Sequence, residues 1–308
     1  MNIQKMLETL VNIANNKDIE IEKGFELWLK HIKANRRIAT YNYYLFITKE
    51  LTGFLNSLKI YHFNQINTNV VNEIINHNKR KGLKPVSINK QIIALKSIIN
   101  YLVELEIIDE PKIKFKKLKE DKPEIQTISN DDLIRCINYL NNKKPIRLLC
   151  FLLMITTGVR RTELINIKIS NINLNQNTIY LERTKNGYPR NIYIVDNLIK
   201  QLIINQIKNT DVSKCNYLFN IDNIQSTTSF VDSIFYKLRH NLNIPKISAH
   251  KLRHTFATSL VENGANFESI RLLLGHETTE MTKRYIHLKQ KKLQEDCVSF
   301  NPLKALNF

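Results

Sequence analysis

Acidic side chains are scarce in this chain. Its 28 Asp and Glu stand against 46 Lys and Arg, a formal charge of +18 at pH 7 with a pI near 9.6. That surplus disfavours cationic partners and favours a polyanion, which makes nucleic acid the leading candidate. Paired cysteines are lacking as well. Cys136, Cys150, Cys215 and Cys297 lie far apart with no Cys-x-x-Cys pair, so they read as reduced core residues of a cytoplasmic protein and not as a disulfide scaffold. The longest apolar run, Leu148 to Ile155, is too short to span a bilayer. Residues 1–18 are an amphipathic mixture without the apolar stretch of a signal peptide, so secretion and membrane insertion are not expected. There is no internal repeat and no low-complexity tract. His250 and His254 have the helical spacing of a zinc pair, but Lys251 stands where a zinc protease needs Glu, and no third ligand lies at a fitting distance. The expectation is therefore no metal and no cofactor.

A chain of 308 residues can form two compact domains, each burying its own core. Between Glu22 and Ile108 apolar residues recur at helical spacing in four segments. Phe25, Trp28, Leu29 and Ile32 form one face; Tyr44, Leu45, Ile47, Leu51, Phe54 and Leu55 form another. A third helix starts from Asn67 as its cap, carries Val70, Val71, Ile74 and Ile75, and stops near Gly82. The fourth follows Pro85 with Ile88, Ile92, Leu95, Ile98, Ile99 and Leu102. Residues 19–108 thus predict an all-helical domain after a short extension, 1–18. The periodicity lapses between Asp109 and Gln126, where Lys-rich sequence bracketed by Pro111 and Pro123 predicts a basic linker over 109–126. In the second domain, 127–308, the run Ser129 to Asp132 caps a helix and a buried helix spans Ile146 to Thr156. Three β-rich runs follow at Ile167–Leu174, Thr178–Arg183 and Arg190–Val195, the last two joined through the hairpin signal Asn186-Gly187. Helices dominate from Leu198 onward. The fold class is mainly α, a helical domain followed by an α+β domain with a small three-stranded antiparallel sheet.

Several residues have the types needed to break and rejoin a phosphodiester. Displacement at phosphorus loads extra negative charge onto a five-coordinate centre, and without a metal fixed cations must meet it while an acid protonates the leaving oxygen. Arginine suits the first task because its planar fork binds two phosphate oxygens and stays charged. Thr157-Gly-Val-Arg-Arg-Thr-Glu163 offers two such groups, Arg160 and Arg161, and spacing alone does not choose between them. His250 and Arg253, three apart, project from one face of a helix, with His254 beside them. A histidine there exchanges protons near neutral pH, which an unaided tyrosine of pKa about 10 requires. Gly275 can take the left-handed turn that stops a helix and turns His276 toward whatever follows. His276 lies 23 residues after Arg253, and Tyr285 nine residues after His276.

That order, Arg160, Lys185, His250-Lys-Leu-Arg253, Leu273-Leu-Gly-His276 and Arg284-Tyr285, resembles the tyrosine recombinase (phage integrase) family over most of the chain. The resemblance implies a SAM-like core-binding domain and a catalytic domain of the DNA breaking-rejoining type. It maps the first arginine onto Arg160 with Glu163 as its orienting carboxylate, and the second onto Arg253. His250 becomes the general acid/base, His276 a phosphate hydrogen-bond donor, and Lys185 the acid for the leaving 5′-oxygen. Tyr285 becomes the nucleophile that stores the bond energy as a DNA 3′-phosphotyrosine. Implied partners are double-stranded DNA and a homotetramer, or a heterotetramer with a paralogue, exchanging strands through a Holliday junction. Arg36, Arg37, Lys90, Lys96, Lys114, Lys116 and Lys117 are the expected phosphate contacts. The tail 289–308, apolar at Leu293, Val298, Phe300, Leu303, Leu306 and Phe308, would dock on a neighbouring subunit. Two rival readings are a type IB topoisomerase-like nicking-rejoining enzyme and a non-catalytic helix-turn-helix binder. The binder leaves Arg160, Lys185 and the late tyrosine without a task.

Overall fold

The structure, a computed structural model, describes residues 17–120, 126–182, 188–279 and 282. The chain divides into two compact units, Met1–Pro123 and Glu124–Phe308.

Among the described residues the first unit has four α-helices, α1 (Ile21–Asn35), α2 (Ile38–Ser57), α3 (Thr68–Arg80) and α4 (Pro85–Glu104). Each buries the stripe that its periodicity marks. Phe25, Trp28 and Ile32 on α1 meet Ile47, Leu51 and Leu55 on α2 and the apolar face of α4 from Ile88 to Leu102. The boundary chemistry is local. Asn67 accepts from the amides of Asn69 and Val70 to start α3, and Gly82, at φ +74°, follows its end. Pro85 opens α4 at a position whose amide has no helical partner to lose. Leu45 departs from the expected inward face and stays exposed.

Residues 109–120 have no regular secondary structure but are held against α4. Ile113, Phe115 and Leu118 pack on the first core, and the Asn89 side chain both donates to the Leu118 carbonyl and accepts from its amide, at 2.9 and 2.8 Å. Lys114, Lys116 and Lys117 are thereby left on the solvent side, and the Lys96 ammonium lies 5.8 Å from the Phe115 ring centre.

The second unit is organised around α6 (Pro145–Thr157), which packs against α5 (Asn130–Asn141), α8 (Asn197–Lys208) and α10 (Ala249–Glu262). Leu148 to Met154 are buried on every side of it. At ~1.5–3 kcal/mol for each large apolar side chain removed from water, this one helix supplies a large share of the unit's hydrophobic driving force. Ser129 caps α5 by accepting from the Asp132 amide. The sheet is antiparallel in the order β1 (Ile172–Asn173), β2 (Thr178–Leu181), β3 (Arg190–Tyr193), with Ile179 paired to both Ile172 and Ile192. The first strand is much shorter than the run Ile167–Leu174, because Ile169–Asn171 closes into a 3₁₀ turn. A second ribbon, β4 (Asn220–Ile221) with β5 (Ile224–Gln225), interrupts the stretch expected to be helical. Its two turn residues, Asp222 and Asn223, both sit at positive φ, as a tight hairpin of matching twist requires. Helices α7 (Arg161–Ile165), α9 (Thr228–Leu242) and α11 (Phe267–Leu274) complete the unit. Among the described residues no helix is long and apolar enough to cross a membrane.

Candidate active site

The central helix α6 ends at Gly158, whose φ of +62° closes the turn. A β-carbon there would collide with the Phe256 ring of α10, so glycine is needed for the angle and for the close approach. Two residues on, Arg160 is the N-cap of α7. Its backbone amide donates to Glu163 Oε2 at 2.9 Å and its Nη1 to Glu163 Oε1 at 2.8 Å. The neighbour Arg161, indistinguishable by spacing, donates instead from Nη1 to both carboxylate oxygens of Asp232 on α9.

Helix α10 begins at Ser248, whose hydroxyl accepts from the Lys251 amide. His250 stands exposed in its first turn, and the His254 ring packs edge-on against it with centroids 4.5 Å apart. Arg253, one turn on, is buried. Its two terminal nitrogens donate to the carbonyls of Gly158 and Leu274, so it ties the end of α6 to the end of α11.

That second end has a helix-stop geometry which explains why arginines gather there. Gly275, at φ +61°, lets its own amide donate to the Leu272 carbonyl and the His276 amide to that of Arg271. These bonds satisfy two of the last carbonyls, while those of Leu273 and Leu274 still need donors. Arg253 serves Leu274, and Arg160 Nη1 lies 3.5 Å from both Leu274 and Gly275 oxygens. The negative end of the helix dipole favours these cations further. His276, also buried, has its Nδ1 2.7 Å from the Thr282 hydroxyl, which fixes its ring.

A third arginine joins the cluster that the sequence reading placed only as the first residue of a strand. Arg190 donates through Nη2 and Nη1 to the two oxygens of Glu163, at 2.9 and 3.3 Å, and through Nε to the Leu273 carbonyl at 2.8 Å. The alternation along β3 was the available signal: Arg190 shares the inward register with Ile192 while Asn191 and Tyr193 face out. A charge on an apolar strand face asks for a buried partner.

Glu163 is the only carboxylate among these side chains, 1% exposed against 19% for Arg160 and 8% for Arg190. Burial pushes its carboxyl up, but the Arg190 bond and charge, followed by the Arg160 amide and charge, outweigh that and hold it at about 2. The folded pKa lies below the ordinary value. The resulting stability is therefore present in full above the normal carboxylate range and lost only as pH falls toward about 2. Among the described residues three guanidinium charges gather with one carboxylate at the end of α11, an arrangement whose chemistry suits an anion with several oxygens.

Lys185 and Tyr285 lie outside the described residues. Among the described residues no cluster of three or more His, Cys, Asp or Glu could hold a metal ion. Arg36, Arg37, Lys90, Lys96, Lys114, Lys116 and Lys117 are all exposed and all belong to the first unit.

A model of the phage integrase family matches residues 126–292, and one of the phage integrase N-terminal SAM-like domain matches residues 25–105. The tyrosine recombinase XerC of Psychromonas ingrahamii is 28% identical over 287 residues, covering 88% of this chain and 93% of that protein. XerD of Staphylococcus haemolyticus is 28% identical over 302 residues, covering 92% and 99%. The integrase of Escherichia phage P2 is 28% identical over 250 residues, 78% of this chain and 66% of that protein. Two solved structures have the same fold: the Tn1549 transposon integrase in complex with a circular intermediate DNA, and a lambda integrase dimer bound to a COC′ core site. The first has a TM-score of 0.70 at 15% identity, covering 90% of this chain and 99% of that one. The second has 0.71 at 16%, covering 90% and 80%.

Proposed function

The chain belongs to the phage integrase family, and on that footing we propose that it is a tyrosine-type site-specific recombinase acting on double-stranded DNA. The observation that carries the reading is the meeting of Arg160 and Arg253, from well-separated segments of the second unit, at the Leu274 carbonyl with Glu163 behind them. A rigid pair of guanidinium groups on buried anchors is what a metal-free phosphoryl transfer asks for. Tyr285 Oη attacks the scissile phosphorus, the bond to the 5′-oxygen breaks, and the DNA is left joined to the enzyme as a 3′-phosphotyrosine. His250 takes the phenol proton and Lys185 gives one to the departing 5′-oxygen, so one ester replaces another and no external energy is consumed. His276 donates to a phosphate oxygen. Rejoining is the same sequence reversed with a different 5′-hydroxyl.

In this reading the helical domain, 19–108, and the basic stretch 109–126 hold the duplex through phosphate contacts from Arg36, Arg37, Lys90, Lys96, Lys114, Lys116 and Lys117. Binding then weakens steeply as salt rises, since each contact releases a counterion. Two duplexes are held by a cytoplasmic tetramer, of identical chains or with a paralogue, whose tails 289–308 reach neighbouring subunits.

Selection of bound genomic fragments, followed by a nicked suicide substrate built from the enriched site, tests the proposal. A covalent protein–DNA adduct forms, and its yield is unchanged by EDTA. A protein that enriches a site but never becomes linked to it is a binder only, and adduct formation that EDTA stops belongs to a metal enzyme.

A further inference from the structure

Arg190 has no place in the site pattern read from the sequence, yet all three of its donor nitrogens are committed within the cluster, each at 3.3 Å or less. Its guanidinium spans both oxygens of Glu163 while its Nε holds the Leu273 carbonyl. The Gly275 backbone fits closely against it: a β-carbon at Gly275 would lie 2.9 Å from Arg190 Cζ and 3.1 Å from its Cδ. Gly275 therefore does two things, ending α11 at positive φ and leaving room for this side chain. Arg190 is also the first residue of β3, five positions after Lys185 in sequence. One side chain thus joins the turn bearing Arg160, the helix end before His276, and the first residue of β3.

We propose that Arg190 is a positioning residue for DNA cleavage, which by binding Glu163 and the end of α11 keeps Arg160 aimed and available for the scissile phosphate. The inference rests on the recombinase reading above. Its physical reason is competition. A buried carboxylate with a single guanidinium partner would bind Arg160 as a closed ion pair and repel an incoming phosphate. Sharing the carboxylate between two forks leaves Arg160 oriented by Glu163 without being neutralised by it. Stability alone is a poor reason for such a buried group, since replacing a buried ion pair by apolar residues is often neutral or stabilising.

The test uses the full chain and the suicide substrate. Arg190→Met folds and binds the site near normally but forms adduct about 10²-fold more slowly, the scale expected when a reacting group loses its alignment. Its deficit shrinks as pH falls from about 7 to 5, because Glu163, buried and without its main cationic partner, then protonates above the ordinary carboxylate range and no longer neutralises Arg160. Glu163→Gln combined with Arg190→Met loses that extra pH dependence, and Arg190→Lys recovers part of the rate. Adduct formation at the wild-type rate by Arg190→Met, or a deficit of equal size at every pH, overturns the proposal. Should Arg190→Met fail to fold, Arg190→Lys carries the same comparison, with a wild-type rate and pH profile as the contradicting result. A wild-type protein that forms no adduct in the same assay defeats the recombinase reading instead, so the two failures are separable.

Discussion

Replacement of Tyr285 by phenylalanine abolishes covalent capture of a suicide substrate while leaving site binding close to wild type. The substitution removes one oxygen and keeps the ring, so packing around residue 285 changes little. It deletes the only atom assigned to attack phosphorus, and no adduct can form by the proposed route. A water molecule aligned by the same arginines could cut the strand in its place, but that product carries no protein. Gel shift and denaturing electrophoresis on one set of samples separate the outcomes: retained binding without a protein-linked strand is expected. An adduct that persists in Tyr285→Phe moves the nucleophile elsewhere.

The second large effect is at the arginine pair. Arg160→Ala and Arg253→Ala each slow single-turnover cleavage by about 10²–10³-fold, the usual loss when one donor to a developing oxyanion is removed. They differ in what else they disturb. Arg160 is partly exposed and its partner Glu163 keeps Arg190. Arg253 is buried and serves the carbonyls of Gly158 and Leu274, so its removal takes the donor from Gly158, at ~1–3 kcal/mol for a stranded buried acceptor, and leaves Leu274 only the longer contact to Arg160. Thermal melting should therefore fall clearly for Arg253→Ala and little for Arg160→Ala, although both lose cleavage. Equal cleavage by wild type and Arg160→Ala would mean that the cluster only holds the fold.

The parts legible in the sequence were those governed by local rules. Apolar spacing placed the four described helices of the first unit, Asn67 marked the cap of α3 and Ser129 that of α5 in the second unit, and Gly275 marked a helix end at positive φ. The β-rich runs at Thr178–Arg183 and Arg190–Val195 placed the antiparallel pair β2 and β3, while the turn signal Asn186-Gly187 lies outside the described residues. What escaped depended on contacts between distant segments. The inward packing of Ile113, Phe115 and Leu118 on α4 is a tertiary choice that a lysine-rich composition conceals. The β4–β5 ribbon is only two residues long on each side, too short for any periodicity, although Asp222-Asn223 was a turn signal. Spacing alone left Arg160 and Arg161 even and the family resemblance chose Arg160; the contact that occupies Arg161, Asp232 on α9, lies 71 residues away in sequence. Arg190 is the most instructive miss, because a family pattern directs attention to residues that face the reacting group and passes over the one that holds them.

Peptide mapping of the protein trapped on a suicide substrate tests the central claim most directly. After digestion of both chain and DNA, mass spectrometry should find one peptide carrying a 3′-linked nucleotide, the one containing Arg284-Tyr285, with the modification on the phenol oxygen. A nucleotide found on any other side chain, or a cleaved strand with no modified peptide at all, would contradict the account.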